Sequence, residues 1–430
     1  MFAVGIRLMA ATALVVSAAA AASAETIQSS DDDSSALSLS GVTAPASGVR
    51  SALSLTTEAA LTEAAQQGGG EEGEQRLSFD LRYDTGLTPT WRVVFADRLD
   101  LDWTGSPERA QQINTIKDGH LSWQPQMDLL LDAGRINVRQ GVAVGYNPTD
   151  FFRFGALRTV DSLDPNSLRD DRQGAVMVRG ETLWSSGALT ALYSPRLDDH
   201  PRTAPFNPDF GATNAEGRWL LSVGQQLAPG WNPQLLLFGT DAGSPQVGTN
   251  LTTVLGPSTV AYIEASGGHG ASLWTQPEPS PDAPRVHASF QTRAATGITY
   301  STAYKLSLTF EYEYDSAALS RADWSAARAG DPLAYARYRE FVSTQQELPT
   351  QHAFFAYAAW QDLLIQHLDL AAFVRVDLVD GSRLPWTELR YHWPRIDVSL
   401  RWQDYQGGRT SDFGAAPSRQ TWQVLLDYYL

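Results

Sequence analysis

The 430-residue chain contains no cysteine, so it has neither a disulfide framework nor a thiolate metal ligand. Lysine is nearly absent as well: Lys117 and Lys305 are the only two, and the other 30 basic residues are arginine. Arginine suits pore linings and the binding of lipid or sugar phosphates, although a GC-rich genome enriches it too. Positive charge is scarce altogether, with 32 basic residues against 48 acidic ones. The resulting net charge of −16 excludes a nucleic-acid partner, whose phosphates demand the opposite sign. After the first two dozen residues no apolar run approaches ~18 residues, which excludes helical membrane spans. No His-x-x-x-His pair or carboxylate cluster marks a metal site, no Gly-x-Ser-x-Gly elbow is present, and no cofactor is expected.

What is present begins with the N-terminus. Arg7 is the only charge among residues 1–24, a small-apolar run extends from Leu8 to Ala22, and Ala22-Ser23-Ala24 precedes Glu25. That is the plan of a secretory signal peptide cut after Ala24. Residues 25–75 then hold nine acids against Arg50 alone, a net of −8, in a Ser/Ala/Gly-rich stretch. It reads as a flexible acidic periplasmic tail or a segment that enters the lumen, with Thr56 to Gln66 able to form two or three helical turns. A short repeat lies within it, at 35–40 and 51–56, and its second copy, 51–57, is one candidate for an extra strand.

From Arg76 onward the period changes to two. Leu77-Phe79-Leu81-Tyr83, Leu306-Leu308-Phe310-Tyr312-Tyr314 and Ile396-Val398-Leu400-Trp402 alternate with Ser, Asp, Glu and Arg. A period of two places the apolar set on one face and the polar set on the other. The last such strand is the clearest: Trp422, Val424, Leu426, Tyr428 and Leu430 share one face. This pattern resembles the C-terminal strand of bacterial outer-membrane β-barrels, which their assembly machinery reads as an insertion signal; a terminal Phe is commoner there than Leu430. The 13 Trp, 15 Tyr and 16 Phe fit the aromatic girdles of such a barrel, and strands of about ten residues with one charged face fit a polar lumen.

The resemblance implies an all-β, transmembrane, antiparallel up-and-down barrel over residues 76–430, in the outer membrane of a Gram-negative bacterium. Its lipid contacts would include lipopolysaccharide. Short turns near 124–126, 185–187, 228–231, 301–303 and 393–395 alternate with long polar loops near 139–171, 194–215, 241–285, 316–350 and 406–418. Short turns belong to the periplasmic side and long loops to the outside. About fifteen strands are read this way; because bacterial barrels have even counts, 16 is expected and 14 is next. General porins are often trimers, and the resemblance extends a homotrimer as an expectation that no residue pattern here specifies.

One segment carries most of the candidate chemistry. Gly134-Arg135 at a strand end leads through Arg139, Gly141, Gly145 and Tyr146 to Asn147-Pro148-Thr149-Asp150-Phe151-Phe152. The pattern is similar to a Gly-Arg…Gly…Asn-Pro-x-Asp stretch in porin-like outer-membrane families. Residues 135–180 hold seven Arg and five Asp, a net-positive stretch in a barrel region of net −9 once the tail's −8 and the signal's +1 are set aside. Folded into the lumen, Arg135, Arg139, Tyr146, Asp150, Phe151, Phe152, Arg153 and Arg158 would constrict the pore and set a transverse field. Held outside, the same arginines would pair with the aspartates and with lipid phosphates. Glu in place of Arg135 and Arg139 would reduce or reverse an anion preference if both face the lumen.

The expected function is a channel for passive diffusion of small polar solutes. The alternative is a dedicated exporter or importer of a polysaccharide or hydrophobic compound, for which an Arg-lined lumen would favour an anionic polymer. A membrane enzyme in the barrel wall is a second alternative, with His120 beside Ser122 and His287 beside Ser289 as its only paired candidates.

Overall fold

The computed structural model describes residues 52–104, 110–202, 204–241, 243–276 and 288–430. The signal peptide at 1–24 and the tail as far as residue 51 lie outside the described residues, as does His287. The described chain forms one closed antiparallel sheet of eighteen strands. These are β1 Leu53–Gln66, β2 Glu71–Thr88, β3 Trp91–Thr104, β4 Ala110–Gln126, β5 Leu129–Ile136, β6 Ala175–Trp184, β7 Gly187–Ser194, β8 Arg218–Gln225 and β9 Gln234–Thr240. They continue as β10 Gln246–Val254, β11 Thr259–Gly270, β12 Ser289–Ser301, β13 Leu306–Asp315, β14 His352–Trp360, β15 Leu368–Asp377, β16 Arg383–His392, β17 Ile396–Asp404 and β18 Ser418–Tyr429. Each strand pairs with its sequence neighbours, and β1 closes the ring on β18 with Thr56 opposite Tyr429. Both ends of the described barrel therefore lie at the rim that carries the short turns, the periplasmic rim by the usual rule.

The count corrects the expectation of 16 strands, or 14. Three strands hide from the alternation. The stretch 241–285, read as one long loop, contains β10 and β11 joined by a tight turn at 255–258. Their inner face is made of small and polar residues such as Gly248, Asn250, Ser266 and Gly268, so no amphipathic contrast marks them. The third is β1, which lies within the stretch read as tail and helix, so the barrel begins at Leu53 rather than Arg76. Its Ala- and Glu-rich sequence favours a helix in isolation. Without it, β18 and β2 would each present an unpaired edge to lipid, where every orphan N–H and C=O costs several kcal/mol. Pairing along both edges overrides the local propensity.

Outward and inward faces follow the alternation. Trp422, Val424 and Leu426 are each 47 % exposed on the outer face, while Leu425 and Asp427 between them are buried toward the lumen. Outward aromatics form girdles at both rims, with Trp91 stacked on Trp123 at 5.6 Å near the short turns and Trp402 beside Trp422 at 6.2 Å near the long loops. The outward side chains form an apolar belt around the barrel. None of the described helices is long and apolar enough to cross a membrane.

Candidate functional site

The connection between β5 and β6, residues 137–174, folds into the barrel and crosses the lumen. Its first limb is captured by two carboxylates of the wall. Glu264 on β11 accepts from the backbone N–H groups of Val142 (2.7 Å), Ala143 (2.9 Å) and Thr149 (2.7 Å). Glu311 on β13 accepts from those of Val144 (2.8 Å), Gly145 (3.1 Å) and Tyr146 (2.9 Å), and from the Tyr262 hydroxyl at 2.6 Å. An irregular segment buried inside a barrel has N–H groups with no ladder to join, and these two side chains supply the acceptors. Both glycines here are required by space. A Cβ on Gly141, whose φ is +94°, would lie 2.6 Å from the Glu264 carboxylate, and one on Gly145 would lie 2.7 Å from the Phe355 ring.

The limb continues into packed side chains. Tyr146 donates its hydroxyl to Glu347 at 2.6 Å, and Arg153 pairs with the same carboxylate at 2.8 Å. Glu347 belongs to the long 316–351 connection; although burial opposes its charge, Arg153 and Arg293 hold it below the usual carboxylate range. Asp150 is fully buried and pairs with Arg172 at 2.5 Å. Phe151 stacks on Phe238 at 4.5 Å, Phe152 meets the same ring edge-on at 6.1 Å, and both belong to an apolar cluster with Ile136, Met177 and Leu220.

The second limb reaches the far wall through charges. Asp161 pairs with Arg76 on β2 at 2.7 Å and with Arg98 on β3 at 2.8 Å. Glu58 on β1 bridges the same two guanidiniums at 2.5 and 3.0 Å. Asp171 lies 3.3 Å from Lys117, which also pairs with Asp80 on β2. A bulge in β4 places the extra residue Lys117 between Ile116 and Asp118, re-aiming its side chain toward this group. Asp164 caps the short helix Pro165–Asp170, accepting from the N–H groups of Asn166 and Ser167. Burial pushes the Asp161 carboxyl up to about 6 even though Arg76 and Arg98 pull the other way.

Two spaces remain around the loop. An outer vestibule of about 930 Å³ lies between Gln111, Phe154, Arg158, Pro201, Asp209 and Thr344. Deeper, a cavity of about 330 Å³ lies between the second limb and the wall of β1–β4 and β16–β18. Its lining is wholly polar and mostly charged: Glu58, Asp80, Asp161, Asp170, Asp171 and Asp427 face Arg98, Lys117, Arg390 and Arg401.

Of the residues singled out in the sequence, Arg158 lines the vestibule, donating to the carbonyls of Asn114 and Asn207 at 2.6 and 2.9 Å. Tyr146, Asp150, Phe151, Phe152 and Arg153 are buried anchors of the loop. Arg135 is buried beneath the 195–217 connection, donating to the Pro208 carbonyl and stacking 5.2 Å from Phe210. Arg139 is half-exposed and pairs with Asp170. The wall groups that define the narrow passage come from strands far apart in sequence, and only their inward alternation marked them. Ser122 gives its hydroxyl to Asp132, and the carboxylate beside His120 is Asp118 at 3.7 Å, so His120 and Ser122 do not join as a nucleophile and base.

No protein-family profile matches the chain, and no curated protein matches it. Solved structures do. OccAB1 of Acinetobacter baumannii superposes with a TM-score of 0.55 at 10 % identity, over 88 % of this chain and 96 % of that one. OpdQ of Pseudomonas aeruginosa gives 0.52 at 10 % identity over 88 % and 98 %. OccK2 (OpdF) of the same organism gives 0.51 at 11 % over 88 % and 97 %. The chain has the fold of a porin-like barrel. At these identities the shared property is the architecture, and the lumen residues of this chain must be read on their own.

Proposed function

We propose that this chain is an outer-membrane channel for passive diffusion of small polar solutes, with the loop 137–174 setting its narrowest part. The observation that carries the reading is the charged passage of about 330 Å³ left between that loop and the wall. A folded core would fill such a space with apolar side chains, whereas a conduit for water and polar solutes lines it with charge. The likeness to the Occ outer-membrane channels supports the same reading. A lining of charged and polar side chains disfavours a hydrophobic compound. Six carboxylates against four cations make it a poor path for an anionic polymer. Outer-membrane lipid and lipopolysaccharide would contact the apolar belt. The outer face of β18, with Trp422, Val424, Leu426, Tyr428 and Leu430, would serve as the insertion signal read by the barrel assembly machinery, and a homotrimer is the assembly general porins suggest.

The test is single-channel recording of the refolded protein in a planar bilayer. Steady conductance proportional to salt is the expected result. A folded, inserted protein that does not conduct would overturn the reading.

A further inference from the structure

Three carboxylates stand side by side across the strands that close the barrel. Asp427 on β18 lies directly opposite Asp397 on β17 and directly opposite Glu58 on β1. Like charges in cross-strand register repel, so each needs compensation. Two have it. Glu58 is held by Arg76 and Arg98, at 2.5 and 3.0 Å. Asp397 accepts from the Tyr429 hydroxyl at 2.8 Å and lies 3.0 Å from His392. Asp427 has neither a hydrogen bond nor an ion pair within 4 Å among the described residues; the residue is only 6 % exposed, and what is exposed opens onto the passage. Arg390 and Arg401, which line the passage with it, stand near enough to favour its charge but make their direct contacts to Glu388. A carboxylate without a direct partner at the wall of a polar cavity is left for water or a ligand to solvate.

We infer that Asp427 is a subsite for the cationic group of a permeating solute, an ammonium or guanidinium on a small polar molecule. The inference rests on the channel reading above and names the solute chemistry that the passage favours. The remaining free charge of the passage agrees. Of its cations, Arg98 and Lys117 are each shared between two or three wall and loop carboxylates, and Arg390 and Arg401 belong to Glu388. A solute amine at Asp427 would complete a row in which every other charge already has its partner. Its position, two residues from the end of β18, places this subsite at the periplasmic mouth of the passage.

The experiment compares the refolded full chain with Asp427→Asn and with Asp427→Glu, using n-butylammonium as the probe. Folding of each is checked by heat-dependent gel mobility. Reversal potentials in a KCl gradient read the inorganic preference, block of the current by n-butylammonium reads the organic one, and calorimetry on detergent-folded protein reads binding without conduction. The expected result is cation preference in the parent and n-butylammonium binding weakened about tenfold in Asp427→Asn, the size of one lost charge-assisted contact, with Asp427→Glu retaining it. Equal binding in parent and Asp427→Asn would overturn the inference while leaving the channel intact. A change in potassium preference without any change in n-butylammonium binding would assign Asp427 to inorganic cations and overturn the solute-amine subsite. Binding that depends on Asp427 in a protein that does not conduct would uphold the subsite and overturn the channel.

Discussion

The two limbs of the lumen-crossing loop are held by different physics. Residues 142–153 give their backbone N–H groups to Glu264 and Glu311 and bury Phe151 and Phe152 in an apolar cluster. Residues 158–171 touch the opposite wall through ion pairs of Asp161 and Asp171. Hydrogen bonds made by buried backbone cannot be replaced by water or salt, so the first limb is fixed as part of the barrel. The ion pairs of the second limb are instead released when a carboxylate takes up a proton. The loop thus has a foundation and an adjustable side, and the passage lies along the adjustable side.

The largest expected effect comes from removing the foundation. Glu264→Ala leaves three buried N–H groups without an acceptor, each costing ~1–3 kcal/mol, so a loss of about 4 kcal/mol is expected in denaturant unfolding of the detergent-folded protein. The freed limb should also raise single-channel conductance. Unchanged stability would mean that the clamp is incidental. Gly145→Ala tests the same limb sterically, because its Cβ would lie 2.7 Å from the Phe355 ring. Overpacking of this kind costs ~1–3 kcal/mol. A middle value is expected in the same unfolding experiment, with Gly408→Ala, whose Cβ would meet open space at an ordinary φ, as the control for the loss of a glycine.

The adjustable limb should respond in the opposite sense. Asp161 has its carboxyl pushed up to about 6 by burial, above its ordinary value. A raised carboxyl binds more protons in the folded state than in the unfolded one. Its ionised form therefore costs stability at neutral pH, and that cost is relieved as pH falls through about 6 toward the ordinary carboxylate range. Because Glu58 still bridges both guanidiniums, Asp161→Asn should change stability at pH 7 by no more than about 1 kcal/mol, well below the ~3–5 kcal/mol expected where a buried charge loses its only partner. Conductance, however, should rise as the tip leaves Arg76 and Arg98. In the parent the rise should follow acidification with a midpoint near 6, and in Asp161→Asn that pH dependence should vanish. A persistent transition near 6 in the variant would assign it to another group.

How much of this was legible in the sequence depends on what each residue contrasts with. The terminal strand announced itself because Trp422, Val424 and Leu426 recur at every second position, and β13 because Phe310 and Tyr312 alternate with Glu311 and Glu313. β10 and β11 did not, because Gly248, Asn250, Ser266 and Gly268 are small or polar on a face that needs little bulk beside an inserted loop. β1 looked helical because alanine and glutamate are good helix formers and its pairing partners lie at the other end of the chain. The loop was recognisable from Gly141, Gly145 and Asn147-Pro148, residues that permit a left-handed turn, a close approach and a chain reversal respectively. Its acceptors were not, since Glu264 and Glu311 sit more than a hundred residues away as single inward acids among many. Asp427 is the sharpest case. It lies inside the most readable strand, yet its lack of a partner is a property of three strands in register, not of one.

The smallest effect is expected at Arg139, and it bears directly on the division of the loop. In sequence, Arg135 and Arg139 looked equivalent, two arginines after a strand-end glycine. In the fold Arg135 is buried against Pro208 and Phe210, while Arg139 is half-exposed and paired with the half-exposed Asp170. An exposed pair contributes little once screened, so Arg139→Glu should alter stability by about 0.5 kcal/mol or less. It should also move the reversal potential in a KCl gradient only slightly toward cations, because Arg139 lies outside the passage and its partner Asp170 is half-exposed at the edge of the lining. Glu at Arg135 belongs with the large effects instead, since it would bury an acid beside the Pro208 carbonyl. If Arg139→Glu shifted the reversal potential strongly, charge at the loop's entrance would govern permeation, and the weight placed on the second limb and its facing wall would have to move there.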